Sequence, residues 1–311
     1  MVSSGSVGPL DAVIVGAGMS GLATAVHLVE AGRSVVVVDK SRGVGGRMAS
    51  RRTDTARFDH GAPRWSVTDA DVARLIGRAE AAGVVGRWMI DGQEYWRGQS
   101  AMTDLAKWMV REWELPIESG EEVVDVTMRA ARSYVVTAPL PQSLAVLSFS
   151  RLLPEPLTQQ RLSAVRYEPS LCVMFELDRP LDGVSNGWFE QSTGLVEVLV
   201  DHPGGGGVSR AAVTARFGAD ASAAWWHRGA ADIVEAARAS IAGVLGSAEV
   251  VDHQLMRWRY AQVADPLPER CLVWGDDPVV ALAGDAFGGS GVEGAYLSGV
   301  AAAAAVDAAL R

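Results

Sequence analysis

The chain has 311 residues, 49% hydrophobic and 21% charged, with a formal net charge of −9. That length can bury a large core and suggests about two domains. The acidic balance, with no basic tract, speaks against nucleic acid or an anionic membrane as a partner. The most apolar tail, residues 300–310, is too short for a membrane span and carries Asp307.

Taken in chain order, residues 1–10 are Ser/Gly-rich and uncharged, unlike a signal peptide. They read as a disordered lead-in to a cytoplasmic protein. Val13-Ile-Val-Gly16-Ala-Gly18-Met-Ser-Gly21 follows: an apolar strand at 12–15, a glycine turn and a helix start. Gly16 permits the tight turn, Gly18 lets backbone approach a pyrophosphate, and Gly21 lets the helix pack on the strand. The helix N-terminus faces the phosphates. Residues 22–31 have helical spacing and end at Gly32, a C-cap signal. The β-branched run 34–38 reads as a second parallel strand. Asp39 lies 23 residues after Gly16, where a carboxylate accepts ribose hydroxyls.

A strand–glycine turn–helix followed by an acidic residue predicts a dinucleotide-binding βαβ unit, and the next residues select FAD. Gly43-Val-Gly-Gly46-Arg47-Met48 makes a Gly-rich loop. In two-dinucleotide-binding flavoproteins such a loop crosses the cofactor and brings an arginine to the pyrophosphate, where its fork suits phosphate oxygens. Further on, 69–82 reads as a helix, as does 102–112 with Leu105, Trp108 and Met109 on one face. Residues 122–126 read as a strand at the adenine end, through Val123, and 134–139 as the next buried strand. In the second domain 171–177, 195–200 and 250–258 read as strands, 204–207 as a glycine loop, and 230–245 as an amphipathic helix.

A second anchor closes the chain. Val280-Ala-Leu-Ala-Gly284-Asp285 is a strand ending in Gly-Asp, then Gly288-Gly-Ser-Gly291-Val292-Glu-Gly294 leads to an Ala-rich helix at 296–310. An aspartate there suits the ribityl chain. The helix N-terminus around Val292 points free N–H groups at the end of the flavin where negative charge collects on reduction. Anchors at both ends make the cofactor domain discontinuous: 1–65, 97–143 and 270–311, with a substrate domain at 66–96 and 144–269.

Other residue types narrow the chemistry. Cys172 and Cys271 give no CxxC and no case for a disulfide, and the five histidines form no ligand cluster, so no metal is expected. Ten tryptophans are many. Most read as packing, while Trp65, Trp96 and Trp258 follow motif-like segments and are candidates for a flat aromatic pocket. The only lysines are Lys40 and Lys107.

The runs 13–22 and 39–48, Phe58-Asp-His60-Gly61-Ala62, Trp258-Arg-Tyr-Ala261 and Gly284-Asp285…Gly291-Val-Glu-Gly-Ala-Tyr-Leu-Ser-Gly299 together resemble bacterial renalase-type flavoproteins. The tail is shared with the wider flavin amine oxidase superfamily. The resemblance implies an α/β fold of the p-hydroxybenzoate hydroxylase-like build: a Rossmann-type FAD-binding domain plus a mixed-sheet substrate domain, with non-covalent FAD. It also implies an oxidase activity. Bacterial members oxidise the misreduced 2- and 6-dihydro isomers of NAD(P)H, passing hydride to the flavin, while O2 reoxidises it and yields H2O2. The nicotinamide dinucleotide isomer and O2 are then the small-molecule partners.

The expected FAD contacts are Gly16, Gly18, Met19, Ser20, Gly21, Asp39, Lys40, Gly46, Arg47, Met48, Gly61, Ala62, Val123, Gly284, Asp285, Gly291 and Val292. His60 and Trp258 are the catalytic-site candidates, as pocket residues rather than as acid or base. A dihydropyridine becomes aromatic on losing hydride, so it needs no general base, and none is evident.

Two departures stand out. Only residues 127–133 stand where the family has a longer β-meander, and Trp96-Arg-Gly-Gln-Ser-Ala-Met102 replaces its Val-Pro-Gly-Met turn. An amine oxidase or desaturase, and a flavin-binding protein without turnover, are the alternatives. The Lys–water pair that many amine oxidases place at the flavin has no lysine placed for it here by sequence.

Overall fold

The computed structural model describes residues 10–182, 187–190, 195–202 and 209–311. The glycine run 204–207 and residues 1–9 lie outside the described residues. The first part runs β1 (Leu10–Val15), α1 (Met19–Glu30), β2 (Val35–Asp39), β3 (Ser50–Arg52), β4 (Arg57–Asp59), α2 (Ala70–Ala81), β5 (Val85–Ile90), β6 (Gln93–Gly98), α3 (Asp104–Glu112), β7 (Ile117–Ser119) and β8 (Ala131–Val136). Then come α4 (Leu140–Phe149), α5 (Pro156–Ser163), β9 (Tyr167–Leu177), β10 (Trp188–Glu190), β11 (Val196–His202), β12 (Ala211–Phe217), α6 (Ala219–Trp225), α7 (Ala230–Ser240), α8 (Ala242–Leu245), β13 (Val250–Val263), β14 (Leu272–Trp274), β15 (Val279–Leu282) and α9 (Gly291–Ala309).

Two sheets organise these elements. The first has the order β14-β15-β8-β1-β2-β7. It is parallel except at β14, which runs antiparallel to β15. Its strands are apolar on both faces because both are covered. Ile14, Val35 and Val37 pack with Leu22, Leu105 and Val306 of the helices on one side. Val13, Val36 and Val38 pack with Leu140, Leu147 and Leu162 on the other. The second sheet, β10-β11-β12-β9-β13, is antiparallel throughout. One of its faces is covered by Ile233, Ala237 and Ile241.

The two chain ends meet on the first sheet. Gly299 of α9 lies on α1, where a Cβ would stand 2.1 Å from the Ser20 carbonyl oxygen. Thr24 Oγ1 donates to Gly299 O at 3.1 Å, and Gly284 N donates to Ser298 Oγ at 2.8 Å. The two sequence anchors therefore form one packed unit.

The structure corrects several sequence expectations. Residues 122–126 are not a strand. The edge position beside β2 belongs to β7, and Gly120, at φ +83°, turns the chain off the sheet. The Asp125 carboxylate then accepts from Thr127 N at 2.9 Å, winding a 3-10 turn at Val126–Met128 in place of extended pairing. β8 follows directly, with no meander between. The helix expected at 230–245 is interrupted at the buried Ile241. The last helix starts at Gly291, earlier than its apolar pattern indicates. The β5–β6 hairpin, α4, α5 and β12 have no counterpart in the sequence reading.

Candidate cofactor and substrate site

A cleft of about 1780 Å³ runs between the two sheets. One end is made by the β1–α1 turn. Gly16, at φ +105°, turns the chain, and Thr137 Oγ1 donates to Val15 O (2.9 Å) and Gly16 O (3.2 Å) beneath it. The second glycine loop lies across the first: Gly45 N donates to Ala17 O at 2.8 Å, and a Cβ on Gly46 would stand 3.1 Å from Gly18 Cα. Asp39 closes this end. Its carboxylate accepts from Ala17 N at 2.6 Å and Ser41 N at 2.7 Å. Each oxygen keeps a lone pair for a ribose hydroxyl.

The middle is zipped by backbone. Ala62 N donates to Arg47 O at 2.6 Å, while His60 N and Gly61 N both donate to Ala49 O (3.2 and 3.0 Å). A Cβ on Gly61 would meet Arg47 O at 2.1 Å, so only glycine permits this approach. Arg47 forks onto Asp285 with two bonds of 2.6 Å. The Asp285 side chain is 8% exposed, so this charge-assisted pair spans a largely dry part of the cleft. Tyr167 lies nearby. Burial pushes its phenol up to about 12, and its oxygen accepts from Leu140 N at 3.0 Å.

The far end is built by side chains. Trp258 of β13 stacks on His60, with ring centroids 5.5 Å apart and planes at 19°. Its indole N–H donates to His60 O at 2.7 Å. Arg216 of β12 donates to His60 O at 3.2 Å and Gly61 O at 2.5 Å. His60 is 4% exposed. Burial, then the Arg51 charge, lowers its pKa to about 4, and Arg216 adds to this. The ring is neutral near pH 7, and its Nδ1 has no hydrogen-bond partner among the described residues.

Of the residues read from the sequence, Gly16, Gly18, Met19, Ser20, Asp39, Lys40, Gly46, Arg47, Met48, His60, Gly61, Ala62, Val123, Trp258, Gly284, Asp285, Gly291 and Val292 all line this one cleft. Gly21 does not. Its Cβ would fall 1.8 Å from Gly16 O, so its task is helix–strand packing and not ligand contact. Trp65 lines the cleft but Trp96 does not; the two exchange backbone hydrogen bonds of 3.0 and 2.8 Å. Cleft residues the sequence did not mark include Arg64, Tyr95, Thr137 and Arg216. They carry no local motif and are gathered only by strand pairing.

The family model for flavin-containing amine oxidoreductases matches residues 110–307, and one for NAD(P)-binding Rossmann-like domains matches 14–78. The chain belongs to the flavin-containing amine oxidoreductase family. A phytoene dehydrogenase of Streptomyces griseus is 41% identical over 88 residues. That stretch is 28% of this chain and 16% of that protein. Among solved structures, a chain described as a protoporphyrinogen oxidase from Exiguobacterium sp. 255-15 superposes with TM-score 0.72 at 12% identity, covering 96% of this chain and 98% of its own. Putrescine oxidase bound to putrescine gives 0.69 at 15%, covering 96% and 99%. Cyclohexylamine oxidase from Brevibacterium oxydans gives 0.66 at 12%, covering 97% and 100%. At these identities the likeness is one of fold.

The cofactor of this flavin amine oxidoreductase is FAD, and the cleft fits it. Ser20 Oγ is buried at the start of α1 with no hydrogen-bond partner among the described residues, where a phosphate oxygen would accept from it. Gly18 has ordinary extended backbone (φ −76°, ψ 179°), and a Cβ there would meet nothing within 4 Å. Neither strain nor packing explains that glycine; a bound pyrophosphate would. With FAD bound, Asp39 would hold the ribose, Arg47 and Asp285, paired with each other here, would stand at the pyrophosphate and ribityl segment, and the N-terminus of α9 would face the flavin. Neither cysteine lines the cleft, consistent with non-covalent FAD.

Proposed function

We propose that this oxidoreductase is a renalase-like oxidase of dihydropyridines, taking hydride from 2- or 6-dihydroNAD(P) and releasing NAD(P)+. The observation that carries the reading is the neutral His60 stacked on Trp258. It offers a flat, uncharged surface, and a histidine that binds a proton only near pH 4 is a poor base for drawing one from substrate. A dihydropyridine needs no such base, because hydride loss restores its aromaticity. Bound FAD supplies the hydride acceptor and, through O2, the return to the oxidised state with formation of H2O2.

The protein's own share is orientation and exclusion of water. Trp258 and the wall above it hold the planar ring at van der Waals approach. Arg216, through His60 O and Gly61 O, fixes the loop on which the ring rests. Of the two lysines, Lys40 follows Asp39 at the ribose end. Lys107 is exposed on α3, whose neighbours Thr103 and Ala106 lie beside Gly45. Both belong to the nucleotide end of the cleft.

A second reading, oxidation of an amine, is favoured by the carboxylates Glu168, Glu190 and Glu197 along the cleft, which suit a cationic substrate. Anaerobic mixing with dihydroNAD isomers, ordinary NADH and a panel of amines separates the two. Fast bleaching of the flavin band by the isomers supports the dihydropyridine reading. Bleaching by amines alone replaces it with the amine reading, and bleaching by none of these reductants leaves a flavoprotein without either activity.

A further inference from the structure

Arg64 stands three residues beyond Gly61, in the wall of the cleft. Its guanidinium carbon lies 3.9 Å from the Tyr95 ring centroid on β6 and 4.0 Å from the Trp188 ring centroid on β10. Two aromatic rings this close attract the cation but supply no hydrogen-bond acceptor in their planes, so its N–H groups must find acceptors elsewhere. Those donors find little. Among the described residues no acceptor lies within hydrogen-bond distance, and the nearest carboxylate, Glu190 Oε2, is 3.9 Å away. The Arg64 side chain is nevertheless only 21% exposed. Glu190 is held off by the Trp188 indole N–H, which donates to Oε2 at 3.2 Å, and is itself 57% exposed. A guanidinium so far withdrawn from water, fixed by two rings and with unspent donors, is costly to keep without a ligand anion.

We infer that Arg64 is the anion-recognising residue of the substrate side, held by Tyr95 and Trp188 to fork onto the phosphates of a dinucleotide substrate. This rests on the dihydropyridine reading for the identity of the substrate, not for the existence of the anion site. Glu190 opposes the same anion, and so sets how tightly it is held. The FAD phosphates have their own donors at the β1–α1 end, in Ser20 and the N-terminus of α1.

Calorimetric titration of the FAD-loaded protein with ADP-ribose, which carries the pyrophosphate without the reactive ring, tests the site directly. Arg64→Ala should weaken binding about tenfold or more, as expected for a charged hydrogen-bonded pair. Glu190→Gln keeps an acceptor for Trp188 and should tighten binding by about threefold. In turnover, Arg64→Ala should lower the ratio of kcat/KM for dihydroNAD to that for the phosphate-free dihydronicotinamide riboside by a similar factor, with the change in KM. Equal ADP-ribose affinity in wild type and Arg64→Ala overturns the assignment. So does failure of wild type to bind ADP-ribose at millimolar concentration, or loss of FAD from Arg64→Ala in proportion to the weakened binding. If Arg64→Ala fails to fold, Glu190→Gln decides alone, and unchanged or weakened binding there counts against the site. Failure of every dihydropyridine to reduce the flavin while ADP-ribose binding follows the expected pattern would refute the reaction and keep the anion site.

Discussion

The two ends of the cleft are made of different material. At the nucleotide end the chain approaches itself backbone to backbone, and the residues that matter are glycines with single hydrogen-bonding side chains, Ser20 and Asp39. At the proposed substrate end the wall is made of large side chains from five places in the sequence: His60 with Arg64, then Tyr95, Trp188, Arg216 and Trp258. Backbone approach leaves no latitude, since a Cβ at Gly21 or Gly61 collides with a carbonyl oxygen. A wall of side chains can be altered one piece at a time, which suits a surface that sets specificity.

The sharpest way to break this contrast is through the glycines. Gly21→Ala and Gly61→Ala should each destabilise the fold by about 3 kcal/mol, because the obstructing atom is a backbone oxygen that cannot step aside. Gly18→Ala, with nothing in the way, should keep its unfolding midpoint as apoprotein and lose FAD. Urea denaturation together with flavin content reads both, and destabilisation by Gly18→Ala equal to that of Gly21→Ala would show that its place is structural.

Next in size is the pair that joins the two ends. Arg47→Ala leaves the Asp285 carboxylate with little water and no partner, and should cost about 3 kcal/mol as well as depleting FAD. The exposed Arg51 and Arg52 should lose far less on substitution by Ala. Equal flavin retention in the three variants would remove Arg47 from the cofactor site.

His60 predicts a pH signature. Its ordinary value is 6.5 and burial lowers it to about 4, so the folded protein refuses a proton that the unfolded chain accepts. Its contribution is constant above about pH 6.5 and turns unfavourable as pH falls towards 4, costing on the order of 3 kcal/mol at the low end. Denaturation at pH 7.5 and 5 should show a smaller loss in His60→Asn than in wild type. Identical slopes would mean that His60 is open to water.

Smaller effects follow. Asp39→Ala should weaken FAD retention by about 1–3 kcal/mol, measured by flavin release on dilution. Trp258→Phe keeps a ring but drops the N–H bond to His60 O. It should slow flavin reduction by a few-fold, about 1 kcal/mol, with the flavin still bound.

The difference between the ends also explains what could be read from the sequence. The βαβ unit, its acidic residue, the crossing glycine loop and the Gly-Asp–helix anchor are legible because each is a local rule about turns and helix starts. Gly21 divides the reading. Its motif position indicates helix–strand packing, which the structure bears out, while its place among the expected FAD contacts does not hold. The segment 122–126 failed for a related reason. Its valines have strand propensity, but Gly120 and Asp125 offered the backbone a local alternative, and β7 already held the sheet edge.

What the sequence by itself determined is the dinucleotide-binding frame and the presence of FAD, because phosphate recognition by backbone needs glycines at fixed spacing and leaves a trace any chain must carry. What only the tertiary structure decided is the substrate wall. The pairing of β5 with β6 and of β10 with β11 and β12 places Tyr95, Trp188 and Arg216 around the cleft from positions far apart in sequence. Arg64, with its guanidinium against two rings, and His60, kept neutral under Trp258, owe their properties to desolvation and to neighbours fixed by strand register. Neither is encoded by the residues on either side of them.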